Sequence, residues 1–280
     1  MATIVGGITT SHIPAIGNAI AKGKQNDPYW KPFFDGYPPV RAWLDAVKPD
    51  VAVVVYNDHG LNFFLDQIPT FAIGAASQYS NSDEGWGLDV LPPVSGNPAL
   101  SWHVIESVMA DEFDVAMCQQ MTIDHGVMVP MSLLWPGGGT WPLSIVPLEV
   151  NTVQHPLPSP ARCYRLGKAL GRAIRSYPEP LKVVVLGTGG MSHQLQGERA
   201  GFINRPFDLM FMKTIANDPD ALAGYSIGDL VAAAGSEGVE LIMWLVMRGA
   251  LGDRVSTIHS HYHIPVSSTG AGVLVLENAA

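Results

Sequence analysis

Three histidines follow apolar, β-branched runs within a few residues: His12 after TIVGGI, His59 after VAVVVY and His193 after LKVVVL. An imidazole titrates near neutral pH, so it can either ligate a metal or carry a proton. Runs of this kind read as strands buried on both faces, and in open α/β sheets ligands bind beyond the carboxyl ends of the strands. Each histidine alone reads equally well as a loop residue bonded to backbone. Delivery of three to one sheet edge points to a common site, without saying which of them would touch a metal. Glu240 is the fourth element, one residue before the apolar run LIMWLVM and on the same helical face as Trp244 and Met247. A carboxylate on a core-facing side needs a partner, because burying it unpaired is costly; a metal ion or an Arg or Lys would serve. Glu237 is better placed to complement the helix dipole, with Ser236 as N-cap.

Two histidines and a carboxylate around an open face form the ligand set of many non-haem iron(II) oxygenases. Adjacent hydroxyls of a substrate can take two open positions and dioxygen the third, while a further histidine moves the proton. The same ligands could hold zinc and activate a water for hydrolysis, and spacing does not separate the two metals.

The elements that must position these residues alternate along the chain. Strands are expected at 3–8, 50–56, 70–74, 115–118, 143–150, 181–186 and 272–276, and helices at 39–47, 100–109, 160–177, 206–216, 225–233 and 238–248. The alternation predicts an α/β fold: a mostly parallel, twisted central sheet with helices on both faces and the active site at one sheet edge, in a single catalytic domain over 1–280. Residues 15–38 read as an irregular excursion with a short helical piece, and 81–97 as a functional loop.

Composition narrows the function. The net charge of −9 leaves no basic footprint for nucleic acid. With 47% hydrophobic and only 15% charged residues, apolar surface is expected to remain for a partner. No apolar run reaches the length of a membrane helix, and the N-terminus lacks the basic start of a signal peptide. Cys118 and Cys163 stand far apart in no motif, as expected of free thiols in a reducing cytoplasm. His259, His261 and His263 alternate at strand spacing, about 7 Å apart, too far to share one ion, and read as surface or interface residues.

The stretches GITTSHIP (7–14), VYNDHG (55–60), DEGWG (83–87), DHG (124–126), GTGGMSHQLQG (187–197), GSEGVELIMWLVMRGAL (235–251) and YHIPVSSTG (262–270) span nearly the whole chain. Together they resemble the catalytic β subunits of the class III extradiol dioxygenases, in particular those that open protocatechuate between C4 and C5. The resemblance implies Fe(II) held by His12, His59 and Glu240, with His193 as acid/base and His125 near the substrate and oxygen site. It places Ser267 and Ser268 against the ring carboxylate of a catecholic acid, the family usually carrying Asn where this chain has Ser268. Gallate and 3-O-methylgallate are neighbouring substrates. The resemblance also implies a small helical α subunit that covers the site in an α2β2 assembly.

Overall fold

The computed structural model describes residues 1–138, 140–265 and 267–279. The chain opens with β1 (Thr3–Thr10), α1 (Pro14–Ala21), α2 (Lys31–Phe34), α3 (Pro38–Val47), β2 (Val51–Tyr56), β3 (Phe71–Gly74), β4 (Gln78–Asn81) and β5 (Val94–Ser95). It continues with α4 (Pro98–Ala110), β6 (Ala116–Cys118), β7 (Thr122–Ile123), α5 (His125–Leu134), β8 (Ser144–Val150), α6 (Pro160–Ser176) and β9 (Lys182–Thr188). Then come α7 (Arg205–Asn217), α8 (Pro219–Ala223), α9 (Ile227–Ala234), α10 (Leu241–Ala250), β10 (Val255–His263) and β11 (Ala271–Asn278).

Eight strands form one sheet in the order β10-β11-β1-β9-β2-β8-β3-β6. Its centre, β1-β9-β2-β8, is parallel, while β11, β10 and the β8–β3 pairing are antiparallel. The parallel character expected from the alternation therefore holds through the middle of the sheet and returns in the β3–β6 pairing at one edge. That middle carries the chemistry, because β1, β9 and β2 lie side by side and end on the same edge.

The β-branched run of β2 shows why the sheet is covered twice. Val51, Val53 and Val55 enter a core completed by α4, α6, α7 and α10. Ala52, Val54 and Tyr56 enter the opposite core, built with α1, α2, α3 and α5. A strand alternates faces residue by residue, so an unbroken apolar run is stable only between two packed layers.

On the first face α10 is buried along its whole length, between the sheet and α6. The two helices touch at glycines: a Cβ on Gly167 would stand 2.2 Å from the Val246 carbonyl, and one on Gly249 2.3 Å from the Tyr164 carbonyl. Arg248, buried in the last turn of α10, donates to the carbonyls of Ile215, Gly252 and Asp253 and so ends the helix with its polar groups satisfied. This packing holds the start of α10, and Glu240 just before it, against the end of β9.

His259 and His261 donate through Nε2 to the carbonyls of Gly36 and Pro32, at 2.7 and 2.9 Å. They clasp the segment around α2 to the sheet within the chain, where the sequence pattern had put them on an outer surface.

Candidate metal centre

His12 lies two residues past β1, His59 three past β2 and His193 five past β9. One ligand atom from each of His12, His59 and Glu240 falls within 4.8 Å of the other two. His12 Nε2 is 3.4 Å from Glu240 Oε2, and His193 Nε2 is 3.9 Å from the same oxygen. The His125 ring lies 3.9 Å from that of His59 and 5.8 Å from that of His12. The structure thus brings all five sequence-predicted histidine and glutamate residues to one place. Ser267 and Ser268 follow β10 in a turn that reaches the same place, since Thr269 pairs with His193. Ser267 Oγ is buried with no partner among the described residues, and Ser268 is exposed with φ +54°.

All four imidazoles are held by the same nitrogen. Nδ1 of His12 meets Thr188 Oγ1 at 3.1 Å, and Nδ1 of His59 meets Asp124 Oδ2 at 2.9 Å. His125 Nδ1 meets Glu84 Oε2 at 2.6 Å, and His193 Nδ1 meets the Met191 carbonyl at 2.8 Å. The carboxylate and carbonyl partners accept, so these Nδ1 atoms carry the proton and Nε2 presents its lone pair to the centre. The Asn57 amide, 3.1 Å from His59 Nε2, fits that tautomer as a donor. Orientation of a ligand histidine through its second nitrogen is the usual outer-shell arrangement of metal sites.

The carboxylates are fixed through backbone. Asp124 caps α5 by accepting from Gly126 N–H at 2.8 Å, and also accepts His59 N–H at 2.7 Å. Glu240 accepts Gly190 N–H at 2.6 Å, which the glycine run after β9 allows by bringing main chain close. The run is a close-approach turn and carries no phosphate-loop spacing. The turn before α10 is 3-10 helical, and Ser236 gives it no side-chain cap. Instead Ser236 Oγ donates to Glu237, which also accepts Leu195 N–H at 2.9 Å and so ties down the segment after His193.

Electrostatics follow the burial. Desolvation lowers the pKa of His12, against the opposing pull of the Glu240 charge. Desolvation also works against the charge on Glu240, but the surrounding His12, His193 and His59 outweigh it and hold the carboxyl at about 2. Burial depresses His59, yet the Asp124 carboxylate overcomes it and lifts His59 to about 8, while Asp124 itself, opposed by burial, is held at about 2 by His59 and His125. With a pKa of about 8 His59 also carries a proton on Nε2 at neutral pH, and a divalent cation of the first transition row would displace it to reach a donor set of imidazole nitrogens and an ionised carboxylate.

Several positioning groups escape sequence reasoning. Thr188, Asn57 and Asp124 sit next to motif residues, but nothing in their spacing tells which nitrogen they engage. Glu84 reaches the centre from 41 residues before His125. Asp208, fully buried in α7, accepts from Ser192 N–H and Oγ and from the Tyr262 hydroxyl, fastening the His193 turn to β10.

The chain is 48% identical over 197 residues to a gallate dioxygenase of Pseudomonas putida KT2440, covering 70% of this chain and 58% of that protein. It is 31% identical over 188 residues to a 2,3-dihydroxyphenylpropionate/2,3-dihydroxicinnamic acid 1,2-dioxygenase of Rhodococcus jostii RHA1, covering 66% and 55%. The chain thus spans little more than half the length of these relatives. The crystal structure of an uncharacterized Escherichia coli K12 protein superposes with a TM-score of 0.57 over 97% of this chain and 99% of the other, at 12% identity, so it shares the fold. The family model described as the catalytic LigB subunit of aromatic ring-opening dioxygenase matches residues 6–273, and the chain belongs to that family.

Proposed function

We propose that the chain, acting as one catalytic domain over residues 1–280, opens the ring of a catecholic acid by extradiol cleavage with dioxygen, and that gallate is its preferred substrate. Protocatechuate, to which the sequence motifs alone pointed, becomes the second reading. The 48% identity to a gallate dioxygenase favours this order. The observation that carries the reading is the grouping of His12, His59 and Glu240 with His193, each imidazole held through Nδ1.

In this reading His12, His59 and Glu240 hold Fe(II), for which the two imidazoles and one carboxylate are a fitting set. When bound, iron supplies the redox chemistry that dioxygen requires and draws the ring hydroxyls toward ionisation. His193 Nε2, with its lone pair toward the centre, accepts the proton of the second hydroxyl and later returns it. His125, whose ring lies 3.9 Å from that of His59, serves as a hydrogen-bonding group for substrate and oxygen. Ser267 Oγ, buried without a partner among the described residues, provides a hydroxyl for the ring carboxylate, with Ser268 beside it. Exposed apolar side chains lie on the segments that carry the site residues: Phe64 and Leu65 after His59, Trp86 after Glu84, and Leu195 after His193. Such side chains support a covering partner, for which a small helical α subunit in an α2β2 assembly is the expected form. Among the described residues no helix is long and apolar enough to cross a membrane.

The test is anaerobic reconstitution with Fe(II), with and without an α subunit, followed by oxygen uptake on gallate and protocatechuate in parallel. Faster uptake on gallate supports the proposal. The reverse order restores protocatechuate, and no uptake on either overturns the dioxygenase reading.

A further inference from the structure

We infer that Glu84 is a positioning residue that sets the tautomer and orientation of His125 from a surface loop. Its two carboxylate oxygens divide the work: Oε1 accepts the backbone N–H of His125 at 2.7 Å and Oε2 accepts its Nδ1–H at 2.6 Å. The contact is almost fully desolvated, with the His125 side chain 4% and that of Glu84 9% exposed. A short, charge-assisted pair of bonds in such surroundings fixes both the main chain and the ring.

The carboxylate also selects the tautomer. A carboxylate only accepts, so the proton of a neutral ring sits on Nδ1, and Nε2 of His125, which has no partner among the described residues, keeps the lone pair. Glu84, from the separate DEGWG stretch, does for His125 what Asp124 does for His59, where one carboxylate likewise takes the backbone N–H and Nδ1 of the same residue. The difference lies in where the carboxylates are held. Asp124 is the buried cap of α5, whereas Glu84 belongs to an irregular loop between β4 and β5. That loop is docked by Asn18, which donates to the Trp86 carbonyl at 2.7 Å, by two bonds between Asn81 and Leu91, by Trp141, which donates to the Pro92 carbonyl at 2.9 Å, and by Leu88 and Leu91 packed on the core. His125 is therefore in its working orientation only while the loop is docked.

The role rests on the ring-opening reading above, with His125 as an acceptor beside the substrate. Glu84→Gln tests it because the variant is isosteric. Its amide oxygen can keep the His125 N–H, but its NH2 then faces Nδ1 and can only donate, so the ring proton must move to Nε2. The group facing the substrate changes from acceptor to donor. The expected result is a kcat lower by about 10²-fold, with KM on gallate unchanged. Nitrogen-15 NMR of the metal-free protein should show the His125 proton on Nδ1 in wild type and on Nε2 in Glu84→Gln. Glu84→Asp, which keeps the carboxylate, should retain the wild-type tautomer and recover part of kcat. Asp83→Asn, which removes the neighbouring loop charge, should leave both unchanged. Wild-type kcat and an unmoved His125 proton in Glu84→Gln would overturn the inference. Absence of turnover in wild type would instead sink the ring-opening reading, and the NMR comparison would still decide the role of Glu84.

Discussion

Alanine at position 235 should displace the acid/base histidine without altering any ligand. Gly235 ends α9 with φ 91° and ψ 169°, a region that only glycine occupies at ease, so a side chain there costs about 1–3 kcal/mol in backbone strain. The new Cβ would also stand 2.1 Å from the carbonyl oxygen of His193 and 2.7 Å from its carbonyl carbon. Relief of that overlap needs a shift on the order of 1 Å, and a misplacement of that size can lower a rate about 10²-fold. The shift passes to the imidazole because His193 N–H is bonded to the Ala234 carbonyl and its ring to the Met191 carbonyl. Strain and overlap together should lower stability by about 2–4 kcal/mol, or Tm by roughly 5–12 °C. Gly201→Ala is the control: its φ is also positive, at +83°, but no atom lies within 4 Å of the added Cβ. That variant should lose only about 1–2 kcal/mol and keep its kcat. Melting curves and initial rates of oxygen uptake measure both effects. A Gly235→Ala protein that melts early yet turns over like wild type would show that the His193 carbonyl moves freely, and the reasoning would fail.

Three other perturbations read separate parts of the structure. Glu149 is buried at the end of β8 with Oε2 unpartnered, and desolvation first, then Asp58 and Asp124, push its carboxyl well above the ordinary 4.5. The folded protein thus keeps a proton that the unfolded chain releases, so this residue costs stability as pH rises through 4.5 toward the folded value. Glu149→Gln should then gain about 1–2 kcal/mol at pH 8 and nothing at pH 4, and an equal or lower Tm at pH 8 would contradict this. Asp124→Ala removes the group that orients His59 and should weaken Zn(II) or Fe(II) binding by about 10–100-fold in a calorimetric titration, where unchanged affinity would refute an orienting role. Metal at about a hundred times its Kd should stabilise the protein by about 2.7 kcal/mol, and Glu240→Ala should abolish the gain; an undiminished gain in that variant would place the metal elsewhere.

Local pattern made much of the framework legible. The unbroken β-branched run before Asn57 gave β2 to within one residue, and Leu166, Leu170 and Ile174 marked the buried face of α6. His12, His59 and His193 could be grouped because the strands before them share one parallel edge, a relation that topology rules supply from order alone. The α5 helix was not visible. Its first residue reads as part of an Asp-His-Gly turn, and Pro130 lies within an apolar stretch that is buried almost throughout and so has no amphipathic signal. The partners of the β10 histidines were not legible, because the carbonyls of Gly36 and Pro32 that they bond lie more than 200 residues away. Glu84 was hidden for the same reason: a carboxylate on a polar loop gives no sign of which distant imidazole it holds.

The central claim is that these residues direct dioxygen into an aromatic ring, and isotope tracing tests it most directly. Iron-loaded protein would turn over gallate under heavy-isotope dioxygen, with Glu240→Ala and His193→Ala alongside, and the products would be weighed by mass spectrometry. The account predicts one dioxygen consumed per ring opened, isotope in the newly formed carboxylate, and loss of that product in both variants. A product that carries oxygen from water alone, or label incorporation undiminished in both variants, would contradict it.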